Sequence, residues 1–316
     1  MTILFTADWH IKLGQKNVPV QWAKNRYRLF FSQVYEVEQE VDLHIIGGDI
    51  FDRLPTIEEL ELYFEFIKGI KVTTLIYAGN HESTKKGKTF LSNLKQVTNL
   101  INPLVSIVDT ILENDRYTIV PYEFINTVKW DSLDKSVPLF THVRGEIPPH
   151  VKPEIDLDLL QDFNIVFAGD LHSHSNTQRN IVYPGSPMTT SFHRKEVDTG
   201  YLLISEDTTW TWHKFELPQL IRKTVSNPKE MLSTDYHHTI YELEGDVVDL
   251  GSVRNTELLD KKLVKRSTEA TLLLGKDMTM QDELVEYLTY ILEIPENKLP
   301  ELIGVYNDYA KRIKME

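Results

Sequence analysis

The sequence predicts an α/β fold, and three observations carry that prediction. Four short apolar runs, 3–10, 43–52, 74–82 and 164–172, each end abruptly in polar residues, and each reads as a strand buried on both faces. Helical stretches lie between them at 22–40 and 56–69, the second opened by Pro55-Thr56 with Glu58, Glu59 and Glu61 in its first turns. The polar residues therefore gather at strand carboxyl ends, where ligands collect in such folds.

The remaining elements follow in order. Residues 138–143 and 200–206 continue the strand inventory, and 208–216 alternates Trp210, Trp212, His213 and Phe215 like a half-exposed antiparallel strand. After Leu217-Pro218 a new unit is expected, with strands at 237–246 and 268–275 around a helix near 255–265. Two helices with apolar stripes close the chain at 281–294 and 297–313.

With 316 residues, 41% apolar and 26% charged, the chain lies in the globular range and has length for about two domains. It contains no cysteine, which excludes disulfides, thiolate metal sites and a cysteine nucleophile and is compatible with a reducing cytoplasm. Any metal must therefore take His, Asp, Glu or Asn. No secretory leader and no run of about 18 apolar residues is present, so neither secretion nor a membrane span is expected. The net charge of −13 opposes polyanion binding, yet residues 1–100 hold 12 basic and 12 acidic side chains, with a cationic run at Lys85, Lys86 and Lys88.

The chemistry sits at the ends of the runs. Asp8 and His10 alternate across Trp9, so an extended backbone would project both from one face. Asp49 follows Gly47-Gly48, where small residues permit close approach to an ion that a carboxylate can bridge. Asn80, His81, His142, Asp170 and His172 add neutral oxygen, imidazole and carboxylate donors. This mixture suits Mn, Fe or Zn better than Ca, and the lack of sulfur disfavours a structural zinc site. Singly, each has an ordinary reading: Asp49 and Asp52 as helix caps, Asn80-His81 as a turn, His142 as a core histidine. Five polar clusters at the tips of five apolar runs favour one joint metal site.

The ordered set Asp8-x-His10, Gly48-Asp49-Ile50-Phe51-Asp52-Arg53, Gly79-Asn80-His81-Glu82, His142 and Gly169-Asp170-Leu171-His172 resembles the calcineurin-like metallophosphoesterase superfamily. Ala7-Asp8-Trp9-His10 and Tyr183-Pro184-Gly185-Ser186-Pro187, followed by Ser191-Phe192, are similar to its SbcD branch, the nuclease subunits of double-strand-break repair complexes. The short length and C-terminal helices resemble the phage-type members. The motifs cover about residues 1–215, and the layout alone carries the likeness beyond them.

The resemblance implies a sandwich of two mixed β-sheets flanked by helices over 1–217, a small α+β capping domain over 218–275 that positions DNA, and C-terminal helices over 276–316. It implies two Mn ions, with Mg as the alternative. Asp8, His10, Asp49 and His172 would hold the first, and Asp49, Asn80, His142 and Asp170 the second. Family members carry His-x-His where this chain has Asp170-Leu171-His172, so a shifted register using His172 and His174 stays open. His81 is implied as a general acid or charge neutraliser, Lys85, Lys86 and Lys88 as phosphate contacts, and Arg53 as a partner of Asp52 or Glu82. The implied activity is a DNA exonuclease and endonuclease acting with an SbcC-type ATPase in the cytoplasm of a bacterial cell, with phage and cellular origin both open; a protein or small-phosphoester phosphatase is the alternative. A homodimer through 56–69 and Phe90 to Leu100, with Leu60, Phe64 and Ile67 as its stripe, is also implied. The face Leu299, Leu302, Ile303, Tyr306, Tyr309 and Ile313 would lie in the ATPase groove or dock on the chain's own cap.

Overall fold

The computed structural model describes residues 1–83, 89–234, 236–264 and 278–313, with backbone alone at 247–249 and 309–313. Lys85, Lys86, Lys88 and the strand expected over 268–275 lie outside the described residues. The chain opens with β1 (Ile3–Thr6), α1 (Val20–Val37), β2 (Leu43–Gly47), α2 (Ile57–Gly69), β3 (Thr73–Tyr77), α3 (Lys95–Ile101) and β4 (Val105–Val108). It continues through β5 (Leu112–Glu113), β6 (Thr118–Val120), β7 (Leu139–His142), β8 (Val166–Gly169), β9 (Ile181–Val182), β10 (Gly200–Ile204) and β11 (Trp210–Lys214). Then come β12 (Leu220–Val225), β13 (His238–Gly245), α4 (Val247–Ser252), β14 (Leu259–Val264), α5 (Met280–Glu286) and α6 (Leu299–Ile313).

The fold is the α/β sandwich that the sequence predicts. One sheet has the order β11-β10-β1-β2-β3-β4 and the other β5-β6-β7-β8-β9, both mixed. Side-chain alternation along β1 explains the layering. Ile3 and Phe5 face the second sheet and share a core with Phe140, Phe167 and Val182, Phe5 meeting Phe140 edge-on at 5.3 Å. Leu4 faces the other way, into a core with Phe30 and Phe31 of α1 and Leu62, Tyr63 and Phe66 of α2. Thr56 and Glu59 start α2 with a reciprocal capping box. Ile67 is fully buried in this core, and Leu60 and Phe64 pack partly against it.

Three local expectations are corrected. β1 stops at Thr6, and Asp8 and His10 take φ of 59° and 46°, so they are not presented by an extended strand. The helix expected near 255–265 is strand β14 beside β13, pinned by Arg222–Asp260 at 3.0 Å and Lys261–Glu242 at 2.9 Å; strand pairing overrides a weak local preference. Arg53 pairs with Glu59 at 3.1 Å, while Asp52 takes Lys12 at 2.8 Å.

The chain divides into two compact units, Met1–Leu243 with Val253–Lys262, and Glu244–Ser252 with Leu263–Glu316. Within the second, Thr279 and Asp282 cap α5 reciprocally. Among the described residues no helix is long and apolar enough to cross a membrane.

Candidate metal centre

The strand tips are bound to one another before any ion is considered. Beyond β1 and β2 the ladder continues, with Asp8 N donating to Gly48 O (3.0 Å), His10 N to Asp49 O (2.9 Å) and Ile11 N to Ile50 O (2.7 Å). Asp8, His10, Asp49 and Asp170 all have positive φ, a conformation that costs a non-glycine residue energy and persists where surrounding structure enforces it. The enforcing contacts include Glu82, fully buried, whose carboxylate accepts from Asp49 N, Phe51 N and Gly79 N at 2.8–2.9 Å. At Gly48, with φ of 85°, a Cβ would strike Gly79 N at 2.6 Å and His142 Nδ1 at 2.7 Å, so only glycine admits the imidazole there.

Five of the seven candidate ligands, Asp8, His10, Asp49, His142 and His172, fall into groups able to hold an ion, and Asp170 and Asn80 lie beside them. Asp49 Oδ2 lies 3.7 Å from His10 Nε2 and 3.5 Å from His142 Nε2. His10 Nε2 and His172 Nε2 are 3.0 Å apart. Asp8, His10 and His172 form one group able to hold an ion, and Asp8, Asp49 and His142 another. Asp170 Oδ1 sits 4.0 Å from His142 Nε2 and accepts from Asn80 Nδ2 at 3.3 Å. Asp8 in turn accepts the Asp170 N–H on both oxygens, at 3.0 and 3.2 Å.

Two buried atoms mark where a cation fits. His142 donates Nδ1–H to Gly47 O at 2.8 Å, leaving Nε2 buried without a partner; Asn80 Oδ1 is buried and unpartnered too. Electrostatics agree. Burial, only partly opposed by Asp49, pushes His10 down to about 3, and burial lowers His172, so both imidazoles keep a free lone pair at neutral pH. Burial alone would depress His142, but Asp49, then Asp8 and Asp170, outweigh it and raise it. Burial would raise Asp49, and His142 and His10 hold it below the usual carboxylate range instead. Carboxylates packed among lone-pair donors, with three polar atoms left over, His10 Nδ1 being the third, suit hard or borderline divalent cations.

The family pattern described as calcineurin-like phosphoesterase matches residues 1–173, more than half of the chain. The chain belongs to that family. This calcineurin-like phosphoesterase is 40% identical over 326 aligned positions to the protein of Escherichia phage T5 named "Probable exonuclease subunit 1", covering 98% of this chain and 99% of that protein. It is 28% identical to protein 244L of Invertebrate iridescent virus 6, a phosphoesterase by name, over 72% of this chain and 83% of the relative. Among solved structures it is similar to a Thermus thermophilus protein, with TM-score 0.44, 12% identity, and coverage of 67% of this chain and 98% of that one.

The phosphoesterase's other expected residues fall as follows. His81 donates its backbone N–H to Asp49 Oδ1 at 2.9 Å and its Nδ1–H to Asp52 O at 2.6 Å, leaving Nε2 3.9 Å from Asp49 Oδ2 on a ring 39% exposed. It also forms a possible ligand group with His10 and Asp49. His174 is turned elsewhere: Nδ1 donates to Tyr183 O at 2.6 Å and its ring stacks on Trp212 at 5.5 Å. Two residues do more than the sequence assigned them. Glu82 ends the Gly79-Asn80-His81 motif, a usable signal. Arg144 follows His142 by two positions and grips Asp170 with Nε to Oδ2 and Nη2 to Oδ1, both at 3.0 Å.

Proposed function

We propose that this calcineurin-like phosphoesterase is the nuclease subunit of an SbcCD-type complex, hydrolysing DNA phosphodiesters as exonuclease and endonuclease by a two-metal mechanism. The observation that carries the proposal is the convergence of Asp8, His10, Asp49, Asn80, His142, Asp170 and His172 on one patch of strand tips, with His142 Nε2 and Asn80 Oδ1 buried and unpartnered. The name of the T5 relative supports the DNA substrate and a partner subunit.

Asp8, His10, Asp49 and His172 would hold one Mn ion, and Asp49, Asn80, His142 and Asp170 the second, with Mg as the alternative. Bound there, two such ions supply Lewis acidity toward the phosphoester and a nucleophile at neutral pH. His81 is oriented by the Asp52 carbonyl, so its Nε2 is the atom turned to substrate; protonated, it gives that proton to the leaving oxygen. Lys85, Lys86 and Lys88 contact flanking phosphates without reading bases.

The same reading assigns 1–217 to catalysis, 218–275 to a cap that positions DNA, and 276–316 to an SbcC-type ATPase, within the cytoplasm of a bacterial host. Leu302 is 39% and Val305 66% exposed on α6, which leaves apolar surface for a partner. Two copies pair through α2 and α3, where Leu100 is 75% exposed.

Linear duplex, circular single-stranded DNA and p-nitrophenyl phosphate, each with Mn, Mg or EDTA, test the proposal. Mn-dependent cleavage of DNA far above phenyl phosphate hydrolysis is expected. Hydrolysis of the small ester with DNA left intact would make the chain a phosphatase.

A further inference from the structure

Asp170 is held unlike the other carboxylates of the centre. Arg144 reaches it from the rim, its side chain 37% exposed, and sets two parallel N–H···O bonds of 3.0 Å, one on each oxygen. The backbone N–H of Arg144 is itself fixed by Glu154 Oε1 at 3.3 Å. A carboxylate offers about four lone-pair sites, and a guanidinium fork takes one from each oxygen. Asn80 Nδ2 leans on Oδ1 as well, at 3.3 Å. Facing the centre is Oδ1, 4.0 Å from His142 Nε2, and an ion there would take the lone pair that the longer Asn80 contact uses, leaving the fork in place.

We infer that Arg144 is a positioning residue that confines Asp170 to one-oxygen coordination of the second metal and so selects against Ca. The inference rests on the two-metal reading proposed above. To chelate with both oxygens, Asp170 would have to give up the fork. Ca takes about six to eight oxygen ligands and uses bidentate carboxylates readily, whereas Mg and Mn favour about six at shorter range. A carboxylate limited to one oxygen therefore removes a contact that Ca exploits more than Mn does. The planar fork, rather than the positive charge, imposes the limit, because a lysine ammonium is a point donor that cannot span both oxygens.

The test is calorimetric titration of the full-length, metal-free protein with Mn and, separately, with Ca. Wild type, Arg144→Leu, Arg144→Lys, Asp170→Asn and the Asp170→Asn variants carrying each Arg144 change are compared. Both Arg144 single variants should lower the Mn-to-Ca affinity ratio of the second site by about tenfold, the scale on which partners of metal ligands act. On the Asp170→Asn background the same changes should leave the ratio unmoved. A wild-type ratio in Arg144→Leu overturns the inference, and so does a wild-type ratio in Arg144→Lys, which would assign the effect to charge. If Arg144→Leu does not fold by circular dichroism, Arg144→Lys decides. Two Mn ions bound at wild-type affinity by Asp170→Asn would overturn the inference together with the ligand assignment. One ion lost in Asp170→Asn with no effect of Arg144 would overturn the inference alone.

Discussion

His10 and His172 lie 162 residues apart in sequence, yet their Nε2 atoms face each other at 3.0 Å. Burial pushes His10 down to about 3 and lowers His172, so both rings are neutral at neutral pH and each, with its single N–H on Nδ1, offers an Nε2 lone pair. A cation between the two lone pairs then satisfies the contact. His10→Asn and His172→Asn should each weaken Mn binding at the first site by more than about tenfold, beyond the loss expected for a residue that only supports a ligand. Unchanged affinity in both, measured by calorimetric titration, would remove the pair from the metal centre.

Metal uptake should release protons. In the metal-free centre, His142 is raised by Asp49, Asp8 and Asp170 against the depressing effect of burial, and burial and then Asp49 push Glu82 up to about 7. Glu82 therefore holds a proton below about 7 and His142 keeps one above its ordinary range, and cations binding at Asp49 favour the deprotonated forms. Mn affinity should climb as pH rises through 7 and go on climbing above it while His142 stays protonated, with protons released on binding. Titration in two buffers of different ionisation enthalpy measures the release. A pH-independent affinity from 6 to 8 would contradict the assignment.

Glu82→Gln should destabilise the fold while leaving the side-chain volume unchanged. The carboxylate accepts three backbone N–H groups from two loops, and an amide replaces one acceptor oxygen with a donor facing N–H groups. At pH 8, above the value to which Glu82 is raised, a loss of about 2–3 kcal/mol is expected from hydrogen bonds to a buried charged group. Urea denaturation of the metal-free protein reads it, and a midpoint equal to wild type would show that Glu82 does not hold the loops.

His81→Ser should separate binding from chemistry. The ring is exposed and oriented by Asp52 O, so two Mn ions and DNA should bind as before while kcat falls by about 10²–10⁴-fold. Loss of an ion with activity would make His81 a ligand, as its grouping with His10 and Asp49 allows.

The donors were legible in the sequence because each sits where an apolar run stops: Thr6 ends β1 two residues before Asp8, and Gly169 ends β8 just before Asp170. Their conformations were not legible. Alternation across Trp9 suggested an extended backbone, whereas the contacts to residues 48–50 impose positive φ at Asp8 and His10. Arg144 could not be matched to Asp170, since 26 residues separate them and only the parallel pairing of β7 with β8 brings them together. Strand β14 was likewise hidden, because β13 and the ions Arg222 and Glu242 decide it rather than its own sequence.

In the proposed centre Asp49 is shared by two metal ions. Equilibrium dialysis of wild type and Asp49→Asn against Mn tests it most directly, with the ions counted by atomic absorption. Wild type should retain two ions per chain, and Asp49→Asn should lose both at concentrations that saturate wild type, because one carboxylate faces His10 on one side and His142 on the other. Two ions retained by Asp49→Asn at wild-type affinity would contradict the shared-ligand centre.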